Sequence, residues 1–147
     1  MDSKLIYLVQ TDTTVGFSSA NDEKLSTVKR RPKLQKILQT VDSFKTLKEN
    51  TRIPKIHRKK VRNSKKTTFI YPNQKSFRII PKDNEFYPFI HKFKNLYSTS
   101  ANHTKKSFEE DFALANSDVI VYTKEGFHEK NSSSIYKLNR KKLRKIR

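Results

Sequence analysis

Two glycines, Gly16 and Gly126, are all that a chain of 147 residues carries, and that scarcity narrows the folds open to it. A Walker A loop needs glycine at both ends of its phosphate cradle. A dinucleotide-binding turn needs three at fixed spacing, so neither can be written here. Any nucleotide must be held by side chains and helix ends. The absence of cysteine removes disulfide frameworks, iron–sulfur clusters and cysteine-based zinc sites, and a reducing, cytoplasmic setting is expected. Leu, Ile, Val and Phe make up about a quarter of the chain, above the roughly one-fifth below which disorder is the default. A single domain over residues 1–147, with a thin core, is the expectation.

Short β-rich runs alternate with capped helical stretches. Leu5 to Gln10 reads as a buried strand ending in the polar loop Thr11-Asp12-Thr13. Asn21 caps a helix that starts on Asp22-Glu23 and stops at Pro32. Lys36 to Val41 reads as a strand, and Asp42 as the cap of a helix reaching about Lys48. Residues 50–66 are basic and lack apolar periodicity, which predicts a mobile loop that orders on an anion. Thr67 to Tyr71 and Ser76 to Ile80 form a hairpin pattern. Pro88 opens a helix carrying Phe89, Ile90 and Phe93, and Leu96 to Ser100 follows as a strand. Ser107 to Glu110 has capping-box spacing for a helix through about Ala115. Val119 to Tyr122 and Ser134 to Leu138 are further strands, and 140–147 is a basic C-terminal strand or tail. The alternation predicts an α/β fold with a twisted, mixed and open sheet flanked by helices.

Thirty-three Lys and Arg against 14 Asp and Glu leave a formal charge of +19. That excess favours a polyanionic partner, nucleic acid or an anionic surface, though a basic proteome would produce it as well. The opening Met1-Asp2-Ser3-Lys4 leads into too few apolar residues for a signal-peptide core, and no apolar run approaches the roughly 20 residues of a membrane span. A soluble protein with no membrane partner is expected.

Three polar segments fall at the ends of these elements, where open α/β sheets build sites: Thr11-Asp12-Thr13-Thr14-Val15-Gly16, Lys29-Arg30-Arg31-Pro32 and Ser98-Thr99-Ser100-Ala101-Asn102. Taken singly they read as a capped turn, a solvated helix end and a helix-entry loop. In this order, as T-D-T-x-x-G, K-x-R-P and S-T-S-A-N, the set resembles the YrdC-like threonylcarbamoyl-AMP synthases. Phe77-Arg78-Ile79-Ile80-Pro81 resembles that family's V-R-x-P strand, Thr68 to Pro72 the strand after its Pro-Gly-Pro turn, and Asn131 to Ile135 its late N-P-S segment. The chain departs from the pattern at Gln10 (usually Pro), at Val15 (usually aromatic) and at Ser64-Lys65-Lys66, which replaces Pro-Gly-Pro. With a strand expected almost at Met1, the family's usual N-terminal helix is not expected ahead of it.

The resemblance implies a YrdC-like domain with a basic concave face. It implies a nucleotidyltransferase, an L-threonylcarbamoyladenylate synthase, that joins L-threonine, bicarbonate and ATP and releases pyrophosphate. Magnesium would accompany ATP as substrate, and no bound cofactor or protein-held metal is implied. A downstream threonylcarbamoyl-transfer complex would carry the product to tRNA. The family's catalytic tetrad carries over to Lys29, Arg31, Ser100 and Asn102. Thr11, Thr13, Arg78, Ser98 and Ser133 fall at further positions that bind ATP or threonine. Lys29 supplies a point charge and Arg31 a planar fork for anionic oxygens, while Ser100 and Asn102 can donate to phosphate. Two other readings remain open: a non-catalytic YrdC-like module binding tRNA or double-stranded RNA, and carbamoyl transfer to another amine, since the domain also occurs in hydrogenase-maturation carbamoyltransferases.

His57, His91, His103 and His128 share no metal-ligand spacing and read as surface or loop residues, with His103 notable for following Asn102. Glu109-Glu110-Asp111 reads as an acidic first helical turn.

Overall fold

The run expected as a first buried strand is one: Ile6 to Gln10 are all nearly inaccessible, and β1 spans Tyr7–Gln10. The computed structural model describes residues 1–32, 35–103 and 106–147. Among these, β1 is joined in one mixed sheet by β2 (Val15–Ser19), β3 (Gln39–Val41), β4 (Thr67–Ile70), β5 (Ser76–Ile79), β6 (Asn95–Ser100), β7 (Val119–Ile120), β8 (Ser134–Leu138) and β9 (Leu143–Lys145). The order is β7-β1-β2-β6-β3-β5-β4-β8-β9. Parallel pairs β1–β7, β3–β5 and β4–β8 are interspersed among five antiparallel ones, so the sheet is mixed and the fold α/β as expected. The helices are α1 (Asp22–Lys29), α2 (Phe44–Asn50), α3 (Arg58–Asn63), α4 (Tyr87–Phe93) and α5 (Glu110–Ala115). No described helix is long and apolar enough to cross a membrane.

β2 was not legible as a strand, because Val15-Gly16-Phe17-Ser18-Ser19 carries a glycine and two serines where β-branched residues usually stand. Every one of its residues is buried, sandwiched between β1 and β6. Packing overrides propensity here. Gly16 pairs with Ser100, and a Cβ built on it would lie 2.9 Å from the Thr99 carbonyl oxygen and 3.2 Å from Thr11 Cγ2. The β2–β6 contact therefore requires a hydrogen at that position. Gly16→Ala is expected to cost about 1–3 kcal/mol of stability through overpacking, read as a lowered urea midpoint at unchanged slope.

The stretch 50–66 corrects the expectation of a loop. Asn50 closes α2, a 3-10 turn runs Lys55–His57, and α3 follows. Ile53, His57 and Val61 are buried at intervals of four, a helical spacing hidden by the histidine and by the intervening cations. Ile53 and Val61 dock on a cluster that includes Leu47, Phe69 and Tyr71. Two caps also differ from expectation. Ser43, rather than Asp42, caps α2 by accepting from the Thr46 amide at 3.1 Å. The capping box at Ser107 is not formed: α5 begins at Glu110, and the Phe108 amide instead donates to Glu129 Oε1 at 2.8 Å. The basic end 140–147 contains a strand, β9, paired with β8.

Two further apolar clusters complete the core. One joins β1 and β2 to α1 through Leu8, Phe17 and Leu25, and the other sets Phe86, Phe89 and Ile90 of the α4 region against Tyr7 and Leu96. Together they fix the strand ends at which the polar segments converge.

Candidate functional site

Thr11 builds the β1–β2 turn. Its hydroxyl donates to the Thr14 carbonyl at 2.6 Å and accepts from the amides of Thr13 at 3.2 Å and Thr14 at 3.3 Å. Its own amide donates to the same carbonyl at 3.1 Å. One side chain thus closes the turn by local hydrogen bonding, and the Thr13 hydroxyl lies 3.3 Å from it. Asp12, between them, points inward to Arg78. Arg78 Nε is 2.9 Å from Oδ2 and Nη2 donates to Oδ1 at 3.0 Å. Both side chains are at least 95% buried. Arg78 Nη1 also donates to Thr68 Oγ1 at 3.3 Å and, more weakly, to Ser133 Oγ at 3.5 Å. Those two hydroxyls are 2.9 Å apart. The network ties the Thr11–Thr14 turn to β4, β5 and the start of β8.

Arg30 ends α1 in the left-handed region at φ 53°, and its amide caps carbonyls of the last turn. That reversal leaves Arg30 exposed and Lys29 buried. The Lys29 ammonium donates to the Ser100 carbonyl at 2.9 Å and to the Asn102 carbonyl and Oδ1 at 2.5 and 2.8 Å, with Ser100 Oγ at 3.4 Å. Ser100 Oγ in turn donates to Asn102 Oδ1 at 2.7 Å, and the Asn102 amide donates to the Lys106 carbonyl. Lys29, Ser100 and Asn102 are therefore one hydrogen-bonded unit.

Burial, and then the charge of Arg31, push Lys29 down to about 8, so the ammonium remains the major form at neutral pH. Between pH 8 and the ordinary lysine value of 10.5 the unfolded chain holds this proton and the native chain does not. The Lys29 contribution to stability accordingly rises with pH across that window, while its positive charge at the site is lost. Acylation of Lys29 by an amine-directed reagent, resolved by peptide mass spectrometry, is expected to increase with a midpoint near pH 8, against about 10.4 for an unperturbed lysine.

A cavity of about 200 Å³ opens where β1, β5 and β6 end and β8 begins. Thr11, Thr13, Arg78, Ser98, Ser100 and Ser133 line it, all named from sequence. Lys130 and Arg147 also line it. Arg147 reaches the Ser133 carbonyl through Nε at 3.1 Å and Nη2 at 3.0 Å. Arg31 is elsewhere: with Lys29, Arg30, His103 and Lys106 it lines a second groove of about 370 Å³. The tetrad thus straddles two cavities, Ser100 facing one, Arg31 the other, and Lys29 with Asn102 joining them.

Asp12, Thr68, Lys130 and Arg147 were missed. Asp12 carried a signal, as the lone acid inside a hydroxyl-rich turn. Thr68 and Arg147 gain their place through sheet pairing, and Lys130 through the loop that leads into β8. His57 corrects the surface reading: it is buried, with Nε2 2.8 Å from the Asn139 carbonyl. His91 Nδ1 lies 2.8 Å from Asp42 Oδ2, and the His103 ring packs on Phe112 at 3.9 Å between centroids. Among the described residues no cluster of three His, Asp or Glu side chains is placed to hold a metal ion.

No family model matches the sequence, and no curated protein matches it. Solved structures do. A double variant of P. abyssi Sua5 superposes with a TM-score of 0.81 at 13% identity over 97% of this chain. The chain has the YrdC-like fold. Sua5 from the same organism complexed with L-threonine matches at TM-score 0.77 and 14% identity, and MTH1692 of Methanobacterium thermoautotrophicum at 0.69 and 17%. Full-length HypF in a phosphate- and nucleotide-bound form matches at 0.72 and 14%. Each match covers 97% of this chain but 52% and 50% of the two Sua5 chains, 79% of MTH1692 and 26% of HypF. The chain therefore carries the YrdC-like fold at about half the length of Sua5, and at these identities the likeness is one of fold.

Proposed function

We propose that the chain is a threonylcarbamoyl-AMP synthase, a nucleotidyltransferase that condenses L-threonine, bicarbonate and ATP. The observation that carries the reading is the convergence of Lys29, Ser100 and Asn102 beside a cavity walled by hydroxyls and cations, on a fold shared with a structure that holds L-threonine. In this reaction bicarbonate takes up a proton and loses water to give carbon dioxide, and the threonine amine then adds to its carbon and releases a proton, giving a carbamate. A carbamate oxygen then attacks the α-phosphorus as the bond to the bridging oxygen breaks and pyrophosphate leaves. Every participant is anionic, so positioning and charge stabilisation do the work.

The 200 Å³ cavity is smaller than the roughly 300–1,000 Å³ of pockets that enclose a whole small molecule. It suits the threonine end and the reacting phosphoryl group. The groove at Arg31 would receive the leaving pyrophosphate. Ser100 can turn its hydroxyl from Asn102 to a phosphoryl oxygen while Lys29 keeps Asn102 Oδ1 satisfied. Magnesium would enter with ATP, its ligands being phosphate oxygens, because the Asp12 carboxylate is already taken by Arg78. The product would pass to a threonylcarbamoyl-transfer complex acting on tRNA. Threonine-dependent pyrophosphate release from ATP, magnesium and bicarbonate tests the reading; release that is equal without threonine, or absent with it, contradicts it.

A second reading is supported by α3, whose Arg58, Lys59, Lys60 and Arg62 are exposed while Val61 alone anchors the helix. Such a face suits the backbone of tRNA or double-stranded RNA. If it binds RNA, affinity falls steeply between low and physiological salt; a filter-binding affinity insensitive to salt removes this reading.

A further inference from the structure

Away from the candidate site lies a larger cavity, about 580 Å³, beside the β4–β5 and β8–β9 turns. Thr68 belongs to the first network and Pro72 lines this cavity; four residues of extended chain separate them, about 13 Å. The cavity is bounded by the segment after α2, the β4–β5 turn and the β8–β9 turn. Ile53, Pro54, Ile56 and Pro72 supply an aliphatic lining, and Ile56 is 64% exposed.

Arg52, Lys55, Arg58 and Arg140 stand around this lining, and no carboxylate residue does. Among the described residues none of the four has an ion-pair partner. Arg58 Nε donates to the Ile53 carbonyl at 3.3 Å, which fixes its guanidinium at the rim. Two shallower grooves continue the feature. One shares Arg52 and Arg58 and adds Lys48 and Glu49, and the other shares Pro72 and Arg140 and adds Lys141 and Lys142. The result is an extended trough with an aliphatic middle and a cationic rim.

We propose that this trough docks an acidic peptide segment of a protein partner that carries an aliphatic anchor residue. Charge complementarity requires an anionic occupant, and the aliphatic floor requires one with an apolar side chain. Single-stranded nucleic acid is disfavoured because it binds through aromatic stacking platforms, and no aromatic side chain lines the trough. An exposed apolar centre ringed by arginines is the arrangement from which interface hot spots are drawn. The inference does not depend on the reaction proposed above.

The test is to pan a random-sequence peptide library against the full chain. Synthetic selected peptides and a uridine homopolymer are then titrated by fluorescence anisotropy against the wild type, Ile56→Ser and Lys55→Glu. Selected peptides are expected to share Asp or Glu flanking Leu or Ile. Each variant should weaken their binding roughly tenfold or more, at an unchanged melting temperature for the exposed Ile56 position. Homopolymer binding should be insensitive to Ile56→Ser. The proposal is overturned if no acidic–aliphatic consensus emerges, if such peptides bind both variants as well as wild type, or if Ile56→Ser weakens the homopolymer instead. Loss of fold in Lys55→Glu leaves Ile56→Ser to decide.

Discussion

Lys29→Ala is expected to lower threonine-dependent pyrophosphate release by well over tenfold, the usual consequence of removing a preorganised charged group from an acyl- or phosphoryl-transfer site. The structure gives two reasons for so large an effect. The variant removes a positive charge between the two cavities. It also releases Ser100 and Asn102, whose carbonyls, with the Asn102 side chain, the ammonium holds at 2.5–2.9 Å, so the groups proposed to meet phosphate lose their aim. Lys29→Arg separates these contributions. It keeps the charge but cannot fit the compact four-oxygen cage, and is expected to fall well below wild type while exceeding the alanine variant. Arg31→Ala, which leaves the cage intact, should raise the ATP requirement with less effect on Ser100. Equal activity of Lys29→Ala and wild type would remove Lys29 from the machinery.

Asp12→Ala is expected to cost about 3–5 kcal/mol of stability, the loss that follows when a buried ion pair is broken from one side. Arg78 is 5% exposed and Asp12 3%, so the guanidinium would be left uncompensated, with only Thr68 and Ser133 as neutral acceptors. For a chain of this length that is roughly 10–16 °C in melting temperature, and thermal unfolding by circular dichroism reads it directly. The double replacement Asp12→Leu with Arg78→Met, which removes both charges, should be less destabilised than Asp12→Ala alone. A double variant that is additively worse would mean the pair contributes more than mutual neutralisation. The same pair explains why Arg78, expected from sequence to grip nucleotide, is in the first instance a scaffold for the turn that carries Thr11 and Thr13.

The residues that were legible in the sequence share a cause. β1, α1 and the β4–β5 hairpin announce themselves through local pattern: β-branched runs, the Asn21 cap, the Pro72 to Lys75 turn. The site segments were legible because three short motifs fell in a fixed order. What escaped depended on distant partners. β2 is a strand because β1 and β6 enclose it, not because Gly16, Ser18 or Ser19 favour one. α3 is a helix because Val61 finds a core to dock on beside Ile53 of the preceding segment. The separation of Arg31 from Ser100 follows from the left-handed turn at Arg30, a backbone state that no local composition marks. Arg147 and Lys130 reach the cavity through sheet pairing and a loop return.

The reaction proposed for this chain joins threonine to carbon dioxide and activates the product on AMP. Incubation with carbon-13 bicarbonate, L-threonine, magnesium and ATP, followed by carbon-13 NMR and mass spectrometry of the nucleotide fraction, tests it most directly. A labelled carbamoyl carbon is expected on an adenylate carrying the mass of threonine, formed with pyrophosphate in equal amount and lost in Lys29→Ala. Intact ATP with no labelled adenylate, from protein shown to be folded, would contradict it.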